Sequence, residues 1–131
     1  MHAALIVNPQ AGRGRAAAAA AEAVLELRSL GWTTSIHADA SPEQSRRSTA
    51  RAAAEADVVI ACGGDGTVHT VLQSMVGAPA ALAVLPCGTG DDNARALGMP
   101  KVGARESARL IATSKVSAID AARARALPGV V

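Results

Sequence analysis

The sequence predicts an α/β domain of three layers, with helices on both faces of a mostly parallel sheet. Short apolar runs alternate along the chain with longer segments of helical spacing, the pattern of strands joined by crossover helices. Glycine-bearing loops at 8–15, 63–67 and 86–92 each fall where a strand hands over to a helix. At 131 residues the chain suits one domain spanning 1–131, and no linker or internal repeat divides it.

The elements follow in order. Residues 3–7, Ala-Ala-Leu-Ile-Val, read as a buried first strand ended by Asn8-Pro9. After a loop carrying Gly12, Arg13, Gly14 and Arg15, the alanines and the spacing of Val24, Leu25, Leu27 and Leu30 predict a helix over 16–30, stopped by Gly31. Residues 32–38, rich in Thr and Ile, read as a second strand. Ser41-Pro42-Glu43-Gln44 is a helix start: Ser41 caps, Pro42 takes the first helical position, and Gln44 completes a capping box. That helix is expected to reach Glu55 and to carry Arg46, Arg47 and Arg51 as solvated charge. A third strand over 57–62 precedes a helix over 67–76 that Gly77 and Pro79 end, and a fourth strand covers 81–85. Asp91-Asp92 opens a short helix closed by Gly98 and Pro100, residues 107–113 belong to a further helix, and 116–120 start another strand.

Composition narrows the function. Half the residues are apolar, yet Phe and Tyr are absent and Trp32 stands alone, so the core is built from Ala, Val, Leu and Ile. A net charge of +2, dispersed over the chain, does not make a nucleic-acid surface. No apolar stretch approaches the roughly 20 residues needed to cross a bilayer, and the N-terminus reads as a strand rather than a leader, so a cytoplasmic location, with peripheral membrane contact allowed, is expected. Cys62 and Cys87 lack metal spacing and read as small buried hydrophobes before glycine-rich turns. His2, His37 and His69 have no partner at ligand spacing, so no histidine metal site is expected.

Gly63-Gly64-Asp65-Gly66-Thr67 carries the chemistry. Glycines let the backbone turn tightly and approach a ligand, and the amides at a helix start favour anionic oxygens. Asp65 does not attract phosphate; a carboxylate there suits handling Mg²⁺, orienting a water in its shell, or accepting a proton during phosphoryl transfer. The plainer alternative is a strand-to-helix turn in which Asp65 caps the helix.

Neither standard nucleotide fingerprint fits, because the first loop lacks a Lys-Ser/Thr pair and no G-x-G-x-x-G opens a helix. Three pieces taken together, Asn8-Pro9-x-Ala11-Gly12, then GGDGT, then Leu85-Pro86-x-Gly88-Thr89-Gly90-Asp91-Asp92-x-Ala94-Arg95, resemble the diacylglycerol kinase catalytic family of lipid kinases. The resemblance covers nearly the whole chain in order. GGDGT alone is shared with NAD kinases; the third piece looks like the lipid-kinase version. The resemblance implies the fold of the N-terminal domain of diacylglycerol and NAD kinases, and transfer of the ATP γ-phosphoryl group to a lipid hydroxyl. It also implies Mg²⁺ as cofactor.

Residue by residue, the resemblance makes Asn8 and Gly12 a first nucleotide-side loop, and Gly63, Gly64, Asp65, Gly66 and Thr67, followed by Val68 and His69, the loop that holds ATP phosphates. Gly88 and Thr89 contact nucleotide from the neighbouring loop, and Asp65 is the residue for metal or phosphate handling. Arg13 and Arg15 either neutralise phosphate or are solvated, and Asp120 matches an aspartate near the end of the family's first domain. Departures stand out as well: Val68-His69-Thr70 replaces a small apolar residue followed by Asn-Glu, Asp91-Asp92-Asn93 replaces Asn-Asp-Phe, and Asp39 stands where a threonine is usual. The family continues into a β-rich domain with the lipid cleft, a metal site and the proposed catalytic base. The expectation is therefore a nucleotide-binding domain whose lipid acceptor is handled elsewhere; a stand-alone nucleotide-binding module and an NAD-kinase-like enzyme are the alternatives, and a homo-oligomer is left open.

Overall fold

A computed structural model describes residues 1–87 and 99–114. Four strands, β1 (His2–Val7), β2 (Thr33–Ala38), β3 (Val58–Gly63) and β4 (Ala81–Pro86), form one sheet in the order β2-β1-β3-β4, with every pairing parallel. Four helices accompany them: α1 (Arg15–Ser29), α2 (Pro42–Glu55), α3 (Asp65–Met75) and α4 (Ala104–Thr113). The expected short helix opened by Asp91-Asp92 and the strand over 116–120 lie outside the described residues, as do Gly88, Thr89 and Asp120.

Alternation along the strands sorts the two faces, since successive side chains point to opposite sides. Ala3, Leu5 and Val7 with Val58, Ile60, Cys62 and Leu85 face α1 and α4. Ala4, Ile6, Val59, Ala61 and Val84 face α2 and α3. The result is the three-layer arrangement, and because both faces are covered, β1 and β3 are apolar almost throughout. Alanines at 16, 20 and 23 bring α1 close to the sheet, as a core without Phe or Tyr requires.

Glu26 is the buried charge of α1, and its Oε1 accepts from Arg109 Nε at 3.0 Å and Nη2 at 2.8 Å, which ties α1 to α4. Among the described residues no helix is long and apolar enough to cross a membrane.

Several boundaries shift for physical reasons. Trp32 is excluded from β2 because its amide closes the end of α1, donating to the Leu27 carbonyl at 3.0 Å. The first loop tightens into a 3-10 turn over Ala11–Gly14, in which Gly12 and Arg13 both take left-handed conformations. α3 starts at Asp65 rather than at Thr67, so the second and third glycines of the motif belong to the helix cap and its first turn.

Candidate functional site

Strand order reverses at β1: the chain leaves it for β2 on one side, and β3 lies on the other. Crevices form at the carboxyl ends of strands at such a switch point. Here a cleft of about 760 Å³ opens there, lined by Asn8, Gly12, Arg13, Arg15, Asp39 and Ser41 from the β1 and β2 sides and by Gly64, Asp65, Gly66, Thr67 and Thr70 from the β3 side. That volume is within the range of small-ligand sites.

The loops that build it are locked together by backbone. The Asn8 amide donates to the Cys62 carbonyl at 3.1 Å, joining the first loop to the end of β3. Asn8 Oδ1 accepts from the Gln10 amide at 3.0 Å, folding the loop back on itself. Cys87, at the head of the third loop, donates its amide to the Gly63 carbonyl at 3.2 Å. A side chain on Gly12 would collide with the Cys87 carbonyl, so the first and third loops touch at a point only glycine allows. All three glycine-bearing loops thus meet, as the sequence predicts, and the part of the third loop beyond Cys87 is outside the described residues.

The glycines of the second loop serve different ends. A Cβ on Gly63 would overlap the Thr67 side chain, so this glycine makes room for the first turn of α3. Gly64 is the N-cap of α3 with φ −93° and ψ −164°, a conformation open to any residue. A Cβ on Gly66 would meet nothing within 4 Å, so its missing side chain leaves space on the cleft wall.

Asp65 is the first helical residue rather than the cap, and no side chain caps α3. The Val68 amide makes the first turn's bond, to the Gly64 carbonyl at 3.1 Å. The amides of Gly66 and Thr67 come before it and have no acceptor within the helix. α1 begins on the opposite wall at Gly14, with φ 85° and no side-chain cap, although its first amide, of Arg15, is already taken by the Ala11 and Gly12 carbonyls of the preceding 3-10 turn. Two helix starts therefore turn positive dipole ends to one cleft, and α3 adds first-turn amides without an acceptor in the helix.

Arg13 and Arg15 add charge there. Arg15 Nε donates to the Gly12 carbonyl at 2.8 Å, bracing the loop. Arg13 is held at φ 58°, the only described non-glycine residue with a positive φ, which is strain of the kind concentrated at binding sites.

Of the residues proposed from sequence, the structure gathers Asn8, Gly12, Gly64, Asp65, Gly66 and Thr67 around the cleft, with Gly63 directly beneath. It does not gather Val68 and His69. Val68 points into the core between α3 and the sheet, since it follows Thr67 by one helical step and turns to the sheet face. His69 is on the outer surface of α3, its Nε2 3.0 Å from Gln73 Nε2 one turn along. Thr70 and Ser45 line the cleft and were not singled out. Helical spacing would have found both: Thr70 lies three residues beyond Thr67, and Ser45 four beyond Ser41.

Cys62 takes no part in the site. Burial, followed by the neighbouring Cys87, pushes its thiol well above the ordinary value, so it stays neutral and unreactive.

A parallel α/β layer with a crevice at the carboxyl ends of its strands defines an open-sheet α/β domain. Comparison with known proteins makes this specific. The sequence model described as the diacylglycerol kinase catalytic domain matches residues 2–124, and the chain belongs to that family. A diacylglycerol kinase of Mycobacterium tuberculosis is 32% identical over 119 residues, covering 90% of this chain and 38% of its own length. One from Bacillus subtilis is 33% identical over 121 residues, with 88% of this chain and 39% of its own length covered. The crystal structure of a diacylglycerol kinase from Bacillus anthracis superposes with a TM-score of 0.72 at 30% identity, covering 84% of this chain and 41% of that one. The chain thus spans about two fifths of the length of these relatives.

Proposed function

We propose that this chain is the nucleotide-binding part of an ATP-dependent lipid kinase, acting at the cytoplasmic surface of a membrane. The observation that carries the reading is the pair of uncapped helix starts, α1 and α3, bordering one cleft that also contains Asp65. Amides of Gly66 and Thr67 and the guanidinium groups of Arg13 and Arg15 would hold the phosphate chain. Bare backbone at Gly64 and Gly66 lets the phosphates approach without a Cβ in the way.

The donor set also fits a divalent cation bound in the manner of Mg²⁺ on a nucleotide. Among the described residues no cluster of three or more His, Cys, Asp or Glu side chains could hold a metal ion. Mg²⁺ usually takes one or two carboxylates and fills its shell with phosphate oxygens and water. Among the described residues, Asp65 and Asp39 are the carboxylates that line this cleft. When bound, the cation supplies charge neutralisation on the transferring phosphoryl group.

In the reaction the lipid hydroxyl gives its proton to a base and its oxygen forms a bond to the γ-phosphorus as the bond to the bridging oxygen breaks, and ADP leaves. Positioning and charge account for most of such catalysis. In this reading the lipid acceptor is placed by parts of the enzyme that the matched region does not include.

Incubation of the intact protein with γ-labelled ATP, Mg²⁺ and mixed lipid acceptors tests the reading. Label is expected in lipid, and Asp65→Ala is expected to lower the transfer by roughly 100-fold or more. Transfer that survives Asp65→Ala, or label found only on a dinucleotide acceptor, contradicts it. ATP binding without any transfer favours the second reading, a nucleotide-binding module.

A further inference from the structure

The edge of the sheet beneath α2 is polar where the neighbouring strand is not. His37 of β2 pairs with Ile6 of β1, and Ser35 with Ala4. Ala4 and Ile6 belong to the apolar layer under α2 and α3, so His37 and Ser35 face the same side at the rim of the sheet. A cavity of about 140 Å³ opens there between strand and helix, lined by His37, Arg47, Ser48 and Arg51. It shares no lining residue with the larger cleft. Two guanidinium groups and an imidazole around one small hollow bring together donors that carry or can take positive charge.

These donors are largely unspent within the fold. Among the described residues Arg51 has no hydrogen-bond or ion-pair partner. Arg47 Nη2 is 2.7 Å from Glu43 Oε1, but both side chains are mostly exposed, and an exposed pair one helical turn apart contributes little and yields to a stronger anion. Nε2 of His37 is 3.3 Å from Ser35 Oγ, which leaves Nδ1 as the ring nitrogen without a partner among the described residues. Ser48 is wall rather than donor, because its hydroxyl donates to Asp39 Oδ1 at 3.1 Å. The other oxygen of Asp39 is buried without a partner, and neither Asp39 nor Glu43 lines the cavity, so the guanidinium groups stand closer to its interior than any carboxylate does.

Size narrows the occupant. At roughly 30 Å³ per water the cavity holds about four or five water molecules. That is room for one tetrahedral oxyanion and not for a whole nucleotide, which needs a site of roughly 300 Å³ or more. Guanidinium forks match the oxygens of a phosphate group, and an imidazole N–H can donate to a third oxygen.

We propose that His37, Arg47 and Arg51 form a separate anion site that takes the phosphate of a phosphate monoester, carried by a small soluble molecule or by a lipid headgroup. The site goes beyond the nucleotide reading and does not depend on it, since the cavity and the cleft have different walls. Binding of glycerol phosphate to the intact protein is measured by calorimetry for wild type, Arg51→Gln, His37→Gln and Arg46→Gln. The last removes the same charge as Arg51→Gln from the same helix, at an exposed position that does not line the cavity. Thermal melting confirms that each variant is folded. Sedimentation with phosphatidylcholine vesicles, with and without phosphatidic acid, separates the two sources of the phosphate.

Saturable binding is expected in wild type and Arg46→Gln, weakened about tenfold in Arg51→Gln and less in His37→Gln. Binding of glycerol phosphate without attachment to either vesicle identifies a soluble ligand. Attachment to the phosphatidic acid vesicles alone, reduced in Arg51→Gln and retained in Arg46→Gln, identifies a lipid headgroup. Equal binding by all four folded proteins places the phosphate elsewhere, in the larger cleft for instance, and overturns the site. Equal losses in Arg46→Gln and Arg51→Gln mean diffuse attraction to the helix surface and overturn it too, as does the absence of binding to glycerol phosphate and to both vesicles.

Discussion

The starts of α2 and α3 border the same cleft and satisfy their backbones in opposite ways. At α2 the chain closes on itself: Ser41 Oγ accepts from the Gln44 amide at 3.2 Å, Gln44 Oε1 accepts from the Ala40 amide at 3.1 Å, and Pro42 has no amide to satisfy. At α3 the cap is a glycine, which has no side chain to offer the first-turn amides, and the next glycine in line is Gly66, within the first turn. A helix start normally gains about 1 kcal/mol from a Ser cap over Ala. That a conformation suited to serine holds glycine at 64 argues that the space over the α3 amides is kept for a ligand.

Substitutions can break this contrast or sharpen it. The largest effect is expected where glycine is structural. Gly12→Ala places a methyl against the Cys87 carbonyl at φ 61° and is expected to cost about 3 kcal/mol in urea unfolding. Gly63→Ala, which crowds Thr67, is expected to cost about 2 kcal/mol by the same measure.

Next is Ser41→Ala, which makes the start of α2 as bare as that of α3 and is expected to lose about 1 kcal/mol. Gly66→Ala runs the other way: the methyl enters open space within a helix, so the ligand-free fold gains up to about 1 kcal/mol while ATP affinity falls. A loss of stability in that variant would mean Gly66 is structural after all.

The smallest effect concerns the unused thiol. Cys62 keeps its proton in the fold, so it contributes stability below the ordinary thiol value of 9.0 that is lost as pH rises past it and the unfolded chain ionises. In the native protein Cys87 is expected to be alkylated well before Cys62, as mass spectrometry of iodoacetamide-treated samples would show.

Much of this was legible from local sequence. The apolar runs at β1 and β3, the Ser41-Pro42-Gln44 start and the glycine stop after Leu30 are each decided by neighbours within a few residues, and the structure follows them closely. The family was legible because its three motifs keep their order. Less was visible where tertiary contact decides. The sequence reading starts this helix at Thr67, but packing of Val68 and Val71 on the sheet carries it back to Asp65. The same packing takes Val68 out of the site, and nothing in GGDGT distinguishes Gly63, which accommodates Thr67, from Gly66, which leaves space. The unpartnered oxygen of Asp39 depends on what surrounds it in three dimensions and has no signature in the chain.

The most direct test of the central claim, that the bare start of α3 is a phosphate cradle, is calorimetric titration of Mg·ATP into wild type and Gly64→Ser. Serine fits the extended backbone at 64 and would cap α3 as Ser41 caps α2, raising ligand-free stability by a few tenths of a kcal/mol. The account predicts saturable binding by wild type, weakened about tenfold or more in the better-capped variant. Undiminished affinity in Gly64→Ser would contradict it.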